Sequence, residues 1–232
     1  MHSQIFSSVA VISQPSGMEI PVYLVLEKKP TRINQKLKTL SQYIEKYPSG
    51  WKKRLKLANL LYETGSWQQA IEQYRRVIER QSQVVEVYLR LGKILQLMAQ
   101  PVEAARVYEQ GLSHVRDKPT QGHIRGLIAV CNQDLEEAVR FFESAAALEP
   151  ENPSHWLALG RVQMARNLAE VALQAYDRIL SNYPDDIVAA IERYDALFAL
   201  GNVEEARSQL DQLIQLAPDD VRVLQRQEEQ YQ

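Results

Sequence analysis

Alanine recurs along this chain at a constant step of 34 residues. The five alanines are Ala70, Ala104, Ala138, Ala172 and Ala206. A large side chain follows each of them four residues later: Tyr74, Tyr108, Phe142, Tyr176 and Leu210. A fixed step of this length indicates stacked structural repeats. The sequence therefore predicts a repeat protein with two helices in each unit.

The residues of one unit, 153–186, identify the kind of repeat. Their order, Trp156, Leu159, Gly160, Ala172, Tyr176 and Pro184, resembles the tetratricopeptide repeat. The resemblance implies an all-α, right-handed α-solenoid of antiparallel helix pairs. It covers residues 51–220 without insertion, as five units: 51–84, 85–118, 119–152, 153–186 and 187–220.

Small residues at position 8 of the units predict a close approach of the paired helices. These residues are Ala58, Gly92, Gly126 and Gly160, and we expect them to face the alanines at position 20. At position 15, Gly65 and Gly201 suit the left-handed backbone that commonly ends a helix, whereas three units depart from glycine. The departures are Ala99, Gln133 and Asn167.

Polar residues between units predict helix N-caps. Asn152, Asp186 and Asp220 follow the unit-ending prolines by two residues. The junction between the second and third units has Lys118 in the capping position, so Asp117 or Thr120 is expected to cap there instead.

Shorter segments flank the five units. Residues 30–50 form a half repeat, with one amphipathic helix predicted over 31–47. Residues 221–232 are predicted to form a capping helix, in which Val221 and Leu224 cover the last unit while Arg222, Arg226, Glu228 and Glu229 face water. Residues 1–29 are either an untethered tail, with Met18 as an alternative start, or an extended segment that folds back or pairs with another copy.

The composition of the chain indicates the class of protein to which it belongs. The chain is 45% apolar and 24% charged, which suits a soluble helical domain. The single cysteine, Cys131, excludes an internal disulfide. No run of about 18 apolar residues predicts a membrane span, and no targeting segment is evident, so we expect a cytoplasmic protein.

Charge is unevenly distributed along the chain. Residues 27–80 carry 13 Lys and Arg against 5 Asp and Glu, whereas residues 134–232 carry 8 against 19. This separation predicts steering of an acidic partner to the basic end, or head-to-tail association of copies. The alternative is that these are solvated helix faces of no special role. Nucleic acid is disfavoured as a partner because the acidic half would repel phosphate.

The sequence does not predict an enzyme. The histidines His2, His114, His123 and His155 are not spaced from Cys, Asp or Glu as metal ligands or a catalytic pair, and no phosphate-binding glycine loop is present. His123 and His155 are interpreted as surface or packing residues. No metal, cofactor or catalytic residue is predicted.

In tetratricopeptide repeat proteins the first helix of each unit lines a concave groove that holds partner peptides. Positions 9 and 12 of the first helices are predicted to contact a peptide, while position 5, which includes Leu55 and Leu89, is expected to pack between units. The predicted contact residues are Asn59, Tyr62, Lys93, Gln96, Leu127, Arg161 and Met164. Leu55 stands where the family's carboxylate clamp has a lysine, so a chaperone co-factor of that type is disfavoured.

These patterns predict a non-catalytic scaffold or adaptor that binds a protein or peptide partner. Two alternatives stay open. The chain could be an accessory or assembly subunit of an enzyme or membrane complex that docks through its basic N-terminal end. It could also be a self-associating adaptor, such as a homodimer, whose N-terminal segment fills a groove.

Overall fold

The computed structural model describes residues 30–230, and the side chains of residues 32–229. This part of the chain forms twelve α-helices and no strand. In chain order they are α1 (Pro30–Lys46), α2 (Trp51–Glu63), α3 (Trp67–Arg80), α4 (Val85–Leu97), α5 (Pro101–Leu112), α6 (Lys118–Cys131), α7 (Leu135–Leu148), α8 (Pro153–Ala165), α9 (Ala169–Asn182), α10 (Ile187–Ala199), α11 (Val203–Leu216) and α12 (Val221–Gln230).

The helices stack in chain order, as expected of a solenoid. Each helix contacts the one before it and the one after it, and α8 also touches α10. The predicted all-α solenoid is therefore confirmed, with α2, α4, α6, α8 and α10 as the first helices of the units. The single helix predicted over 31–47 is α1. The interpretations of residues 1–29 lie outside the described residues.

The core is a strip that runs along the stack. Four groups of buried apolar side chains follow one another, and half-buried leucines join them: Leu127 packs against the first two groups, and Leu173 packs against the last two. Since each unit buries its apolar surface mainly against its neighbours, stability depends on the interfaces between consecutive helices.

The repeating alanines and the large residues after them form the centre of this strip. All ten side chains are buried, with at most 1% exposure. The glycines at position 8 lie against the rings at position 24. A β-carbon on Gly92, Gly126 or Gly160 would lie 2.3–2.5 Å from the ring of Tyr108, Phe142 or Tyr176, respectively. The ring at position 24 therefore supplies the nearest atoms to each glycine, and the contact with the alanine at position 20 stays a prediction.

The first helices of all five units end in the same turn, whether or not glycine is present. Position 15 has φ between 56° and 74° in each unit, at Gly65, Ala99, Gln133, Asn167 and Gly201. In the second unit, Ala99 N–H donates to the carbonyl of Gln96 at 3.0 Å, and Gln100 N–H donates to that of Leu95 at 2.8 Å. This pair of bonds is a Schellman motif. The stacking of the units therefore imposes the left-handed conformation on three residues other than glycine.

The predicted N-caps are present. The side chains of Asn152, Asp186 and Asp220 accept hydrogen bonds from the backbone N–H groups of Ser154, Ala189 and Arg222. At the irregular junction Asp117 caps α6, accepting from Thr120 N–H at 2.8 Å.

Two expectations about the C-terminal end of the stack were wrong in detail. Val223, not Val221, is buried against the last unit, and Arg226 pairs with Asp195 instead of facing water alone. At the other end Arg54, one of the basic residues of 27–80, is only 5% exposed and donates to Gln73 Oε1 at 2.7 Å, so its charge is buried.

The contact between Gly160 and Tyr176 generates a prediction about stability. Gly160→Ala should lower the free energy of unfolding by roughly 1–3 kcal/mol, because overpacking outweighs the higher helix propensity of alanine. Urea unfolding followed by circular dichroism measures this. Gly122→Ala is the control, since its β-carbon would meet its neighbours at 3.3 Å or more. Equal stability of the two variants would contradict the packing described here.

The turn at Ala99 generates a second prediction. Ala99→Gly should raise the free energy of unfolding by about 0.5 kcal/mol, because glycine adopts positive φ without steric cost, and the gain exceeds the loss from a more flexible unfolded chain. The reverse change, Gly65→Ala, should destabilise by about 1 kcal/mol. Thermal melts of both variants test the pair, and a stabilising Gly65→Ala would refute it.

Candidate functional site

The residues predicted to contact a peptide all lie on first helices. Direct contacts connect each first helix to the next one along the stack, through Asn59–Glu86, Gln96–Cys131, His123–His155 and Arg161–Glu192. Among the described side chains no hydrogen bond joins one second helix to another. The units therefore approach each other most closely on the side of the first helices. We call the surface formed there by positions 9 and 12 the inner face.

Tyrosines from the second helices reach the inner face with their hydroxyl groups. Tyr74 Oη donates to Asn59 Oδ1 at 2.8 Å, and Tyr108 Oη donates to Gln96 Oε1 at 3.0 Å. Burial raises the pKa of both phenols, so they stay protonated donors. The polar side chains at these two positions thus satisfy the buried tyrosines of their own units.

Three of the predicted contact residues also connect neighbouring units. Asn59 Nδ2 donates to Glu86 Oε1 at 3.4 Å, and Gln96 Nε2 donates to Cys131 Sγ at 3.3 Å. Arg161 is 2.7 Å from Glu192 through Nε. These side chains are therefore held in place by the stack itself. That they contact a peptide as well stays a prediction.

The other four predicted residues have surface open to a ligand. Tyr62, Leu127 and Met164 are half-buried against the core, and the guanidinium of Arg90 lies 5.4 Å from the ring centre of Tyr62. Lys93 is half-buried as well. Burial lowers its pKa, and the charge of Arg161 lowers it further.

Phe198 is an inner-face residue that was not among the predicted contacts. It is 60% exposed, and its ring stacks on that of Tyr194 at 6.2 Å. Its place at position 12 of the last unit was the available signal. Glu192 was also missed, because its position in the unit carries no pattern and only the stack brings it to Arg161.

The two histidines interpreted as surface or packing residues form a buried pair. His155 is 3% exposed, and its Nδ1 lies 3.1 Å from Nδ1 of His123. His155 Nε2 lies 3.1 Å from Glu149 Oε2, a pairing that sequence spacing did not reveal. Only one of the two facing Nδ1 atoms can carry a proton in this contact. The packing of α6 against α8 therefore requires that at least one of the two rings be neutral.

The described residues show neither a metal-binding cluster nor a spanning helix. No three His, Cys, Asp or Glu side chains are placed together to hold a metal ion in this part of the chain. Among its helices, none has both the length and the apolar character to cross a bilayer.

Comparison with known proteins identifies related repeats. A sequence profile described as tetratricopeptide repeat matches residues 55–112 and 125–187, more than half of the chain, and a second profile of the same description matches residues 169–227. The chain is 23% identical over 167 residues to protein O-mannosyl-transferase TMTC1 of Homo sapiens, a match that covers 70% of this chain and 19% of that protein. It thus spans less than a fifth of this relative.

Solved structures share the fold. TTC0263, a thermophilic TPR protein of Thermus thermophilus, matches with a TM-score of 0.68 at 16% identity, over 76% of this chain and 96% of that one. A chain of the APC/C hetero-tetramer Cut9-Hcn1 matches with a TM-score of 0.62 at 16% identity, over 84% of this chain and 38% of that one. At these identities the likeness shows the fold alone.

The histidine pair predicts that the stack weakens in mild acid. Burial lowers the pKa of His123 to about 4, and the nearby charge of His155 adds to the effect. An unfolded histidine titrates at about 6.5, so the unfolded chain binds the proton more tightly. The contribution of His123 to the free energy of unfolding is therefore fully present above pH 6.5 and is lost as the pH falls toward 4. The free energy of unfolding should fall by at most about 1.4 kcal/mol per pH unit in this range.

Urea unfolding at pH 7 and pH 5 measures this dependence. His123→Leu, which restores the leucine that three other units have at position 5, should reduce the loss of stability between the two pH values. Hydrogen bonds lower the pKa of Asp117 and of Glu149, the carboxylates near His155. These two groups therefore keep their charge between pH 7 and pH 5 and do not obscure the loss of stability due to His123. His114→Gln, a change at an exposed histidine on another unit, should behave as the wild type. An unchanged pH dependence in His123→Leu would exclude this role.

Proposed function

Because the chain belongs to the tetratricopeptide repeat family, we propose that it is a non-catalytic scaffold that holds a segment of a partner protein along its inner face. Repeats of this family support a protein-interaction scaffold. The observation that carries the finer proposal is the run of partly open apolar side chains on the inner face: Tyr62, Leu127, Met164 and Phe198. Such a row, with polar groups beside it, suits a peptide with spaced apolar anchors.

The polar contacts of the inner face support this proposal in a second way. Asn59, Gln96 and Arg161 are already oriented by bonds to tyrosine or to a neighbouring unit. A surface held in its binding conformation loses less side-chain entropy when a ligand arrives. The inner face is therefore preorganised, with the apolar residues and Lys93 as the adaptable part.

Two named neighbours bear on the proposal. Cut9-Hcn1 is a hetero-tetramer, which is an assembly of protein chains, and this chain covers 38% of the Cut9-Hcn1 chain that it matches. TMTC1 is named as a transferase, but the stretch matched here is 19% of it. Catalysis is accordingly no part of the function proposed for this chain.

A second candidate function is docking through the basic N-terminal end. Six lysines there are exposed: Lys36, Lys38, Lys46, Lys52, Lys53 and Lys56. Three of them lie over aromatic rings: Lys46 at 5.5 Å from the ring centre of Tyr47, Lys52 at 5.7 Å from that of Trp51 and Lys53 at 5.6 Å from that of Tyr43. An exposed cationic surface with aromatic residues suits an acidic partner, either a larger complex or the acidic end of a second copy.

Selection of peptides from a random library displayed on phage tests the main proposal. The double variant Met164→Glu, Phe198→Glu should bind the selected peptides at least about tenfold more weakly, because it introduces charge into an apolar contact. Fluorescence anisotropy measures this affinity. Val102→Glu is the matched control: Val102 is as exposed as Phe198 but lies on a second helix. If a peptide binds the inner-face variant normally but no longer binds when Lys52, Lys53 and Lys56 are changed to glutamate, its binding site is the basic N-terminal end instead.

A further inference from the structure

A cluster of lysines and aromatic rings lies at the N-terminal end of the stack, where α1 meets α2. Lys53 on α2 lies 5.6 Å from the ring centre of Tyr43 on α1, and the ring centres of Tyr43 and Tyr47 are 4.9 Å apart. Lys46 in turn lies 5.5 Å from the ring centre of Tyr47. These four side chains therefore form one continuous surface across the two helices.

Further lysines extend this surface along both helices. Lys36 precedes Tyr43 by seven residues, which is about two helical turns, so it lies on the same side of α1. Lys52 and Lys56 stand one turn apart on α2, beside Lys53, and all of these lysines are exposed. We call the whole set the basic–aromatic face, which consists of Lys36, Tyr43, Lys46, Tyr47, Lys52, Lys53 and Lys56.

The basic–aromatic face is open because of its place in the repeat. Lys36 and Tyr43 hold positions 20 and 27 of the half repeat, and both positions are buried in all five complete units. In the half repeat, by contrast, Lys36 is exposed and Tyr43 is 39% exposed. Lysine is almost never fully buried without a partner. A lysine where the other units have alanine therefore indicates that this end of the stack meets a polar and charged environment.

The charge of the two helices is almost entirely positive. Together α1 and α2 contain eight Lys and Arg against two acids, Glu45 and Glu63. Glu45 follows Tyr43 by two residues and so lies on the other side of α1, and Glu63 is the last residue of α2. The basic–aromatic face thus combines five exposed cations with two exposed tyrosine rings.

We propose that the basic–aromatic face adsorbs to the surface of a lipid bilayer that carries anionic headgroups. Clustered lysines attract such headgroups, and their alkyl stems cover apolar surface while the ammonium groups stay in water. Tyrosine suits the boundary between headgroups and acyl chains, because its ring is apolar and its hydroxyl group is polar. An acidic protein segment would be matched by the charges alone, so the rings among the lysines favour a bilayer.

The charge of the rest of the chain supports the same orientation. Residues 134–232 carry 8 Lys and Arg against 19 Asp and Glu, and an anionic surface repels them. Since the helices stack in chain order, adsorption through α1 and α2 holds these acidic units away from the lipid. The inner face then stays open to a partner. This inference does not depend on peptide binding by the inner face, and it gives docking through the basic N-terminal end a lipid surface in place of a protein.

Co-sedimentation of the full chain with lipid vesicles tests the proposal. The vesicles contain phosphatidylcholine with roughly 30% phosphatidylserine, and vesicles of phosphatidylcholine alone are the reference. The wild type should bind the anionic vesicles at least about tenfold more tightly than the neutral ones. Salt at about 1 M, where the Debye length is about 3 Å, should release it. Equal binding to both kinds of vesicle, or binding to neither, would overturn the proposal.

Two lysine variants locate the contact. Lys53→Gln should bind the anionic vesicles roughly fivefold more weakly, which is the effect of one lysine near an anionic surface. Lys38→Gln is the matched control, because Lys38 is exposed but lies two residues from Lys36, on the other side of α1. It should bind as the wild type does. If the two changes weaken binding equally, net charge explains the binding and a contact through this face is excluded.

The double variant Tyr43→Ser, Tyr47→Ser tests the rings without a change of charge. It should bind the anionic vesicles severalfold more weakly, because less apolar surface enters the interface. Circular dichroism checks that the variant is folded, and the comparison of Lys53→Gln with Lys38→Gln decides the proposal if it is not. A folded variant that binds as the wild type does would overturn the proposal, since the lysines alone would then suffice.

Soluble partners are distinguished in the same experiment. Binding to soluble polyglutamate but not to anionic vesicles would overturn the bilayer as the partner and leave docking of an acidic protein standing. Association of copies at low salt that is lost in Lys53→Gln, with no binding to vesicles, would instead assign the face to the acidic end of a second copy. Neither result changes which peptides the inner face selects, so failure of this proposal and failure of the scaffold function are distinguishable.

Discussion

The close contact between an aromatic ring and a glycine backbone sets how near the two helices of a pair lie in the three middle units. In three consecutive units the ring at position 24 lies against a glycine at position 8, so closely that a single methyl group would overlap it. Because the ring is long, its far end passes between the helices and reaches the inner face. The packing of the core and the polar surface of the groove are therefore two ends of the same side chain, as at Tyr108 with Gln96.

Side-chain contacts between neighbouring units join the helix pairs into one stack. The second and third units are joined through Gln96 and Cys131, and the fourth and fifth through Arg161 and Glu192. Each contact uses a residue of the inner face, so the residues that hold the solenoid together and those that would meet a partner come from the same rows.

Sequence spacing predicted the helix pairs, the caps at Asn152, Asp186 and Asp220, and the burial of the alanine and aromatic rows. Spacing is informative there because a helix has a constant rise and a fixed direction for each residue. It did not predict that the ring of Tyr176 supplies the atoms nearest to Gly160, or that Val223 covers the last unit. Both depend on the rotation of one helix against another, which shifts a contact by a residue or two while leaving the pattern of apolar positions unchanged.

The sequence by itself determined that this chain is a stack of helix pairs and which face of each helix is buried, because a repeated local pattern needs no knowledge of distant residues. Only the tertiary structure decided which inner-face side chains are engaged. Arg161 finds Glu192, and His155 finds His123, across an interval of about one repeat. The left-handed turn at Ala99 was decided in the same way, since packing of whole units outweighs the preference of one residue.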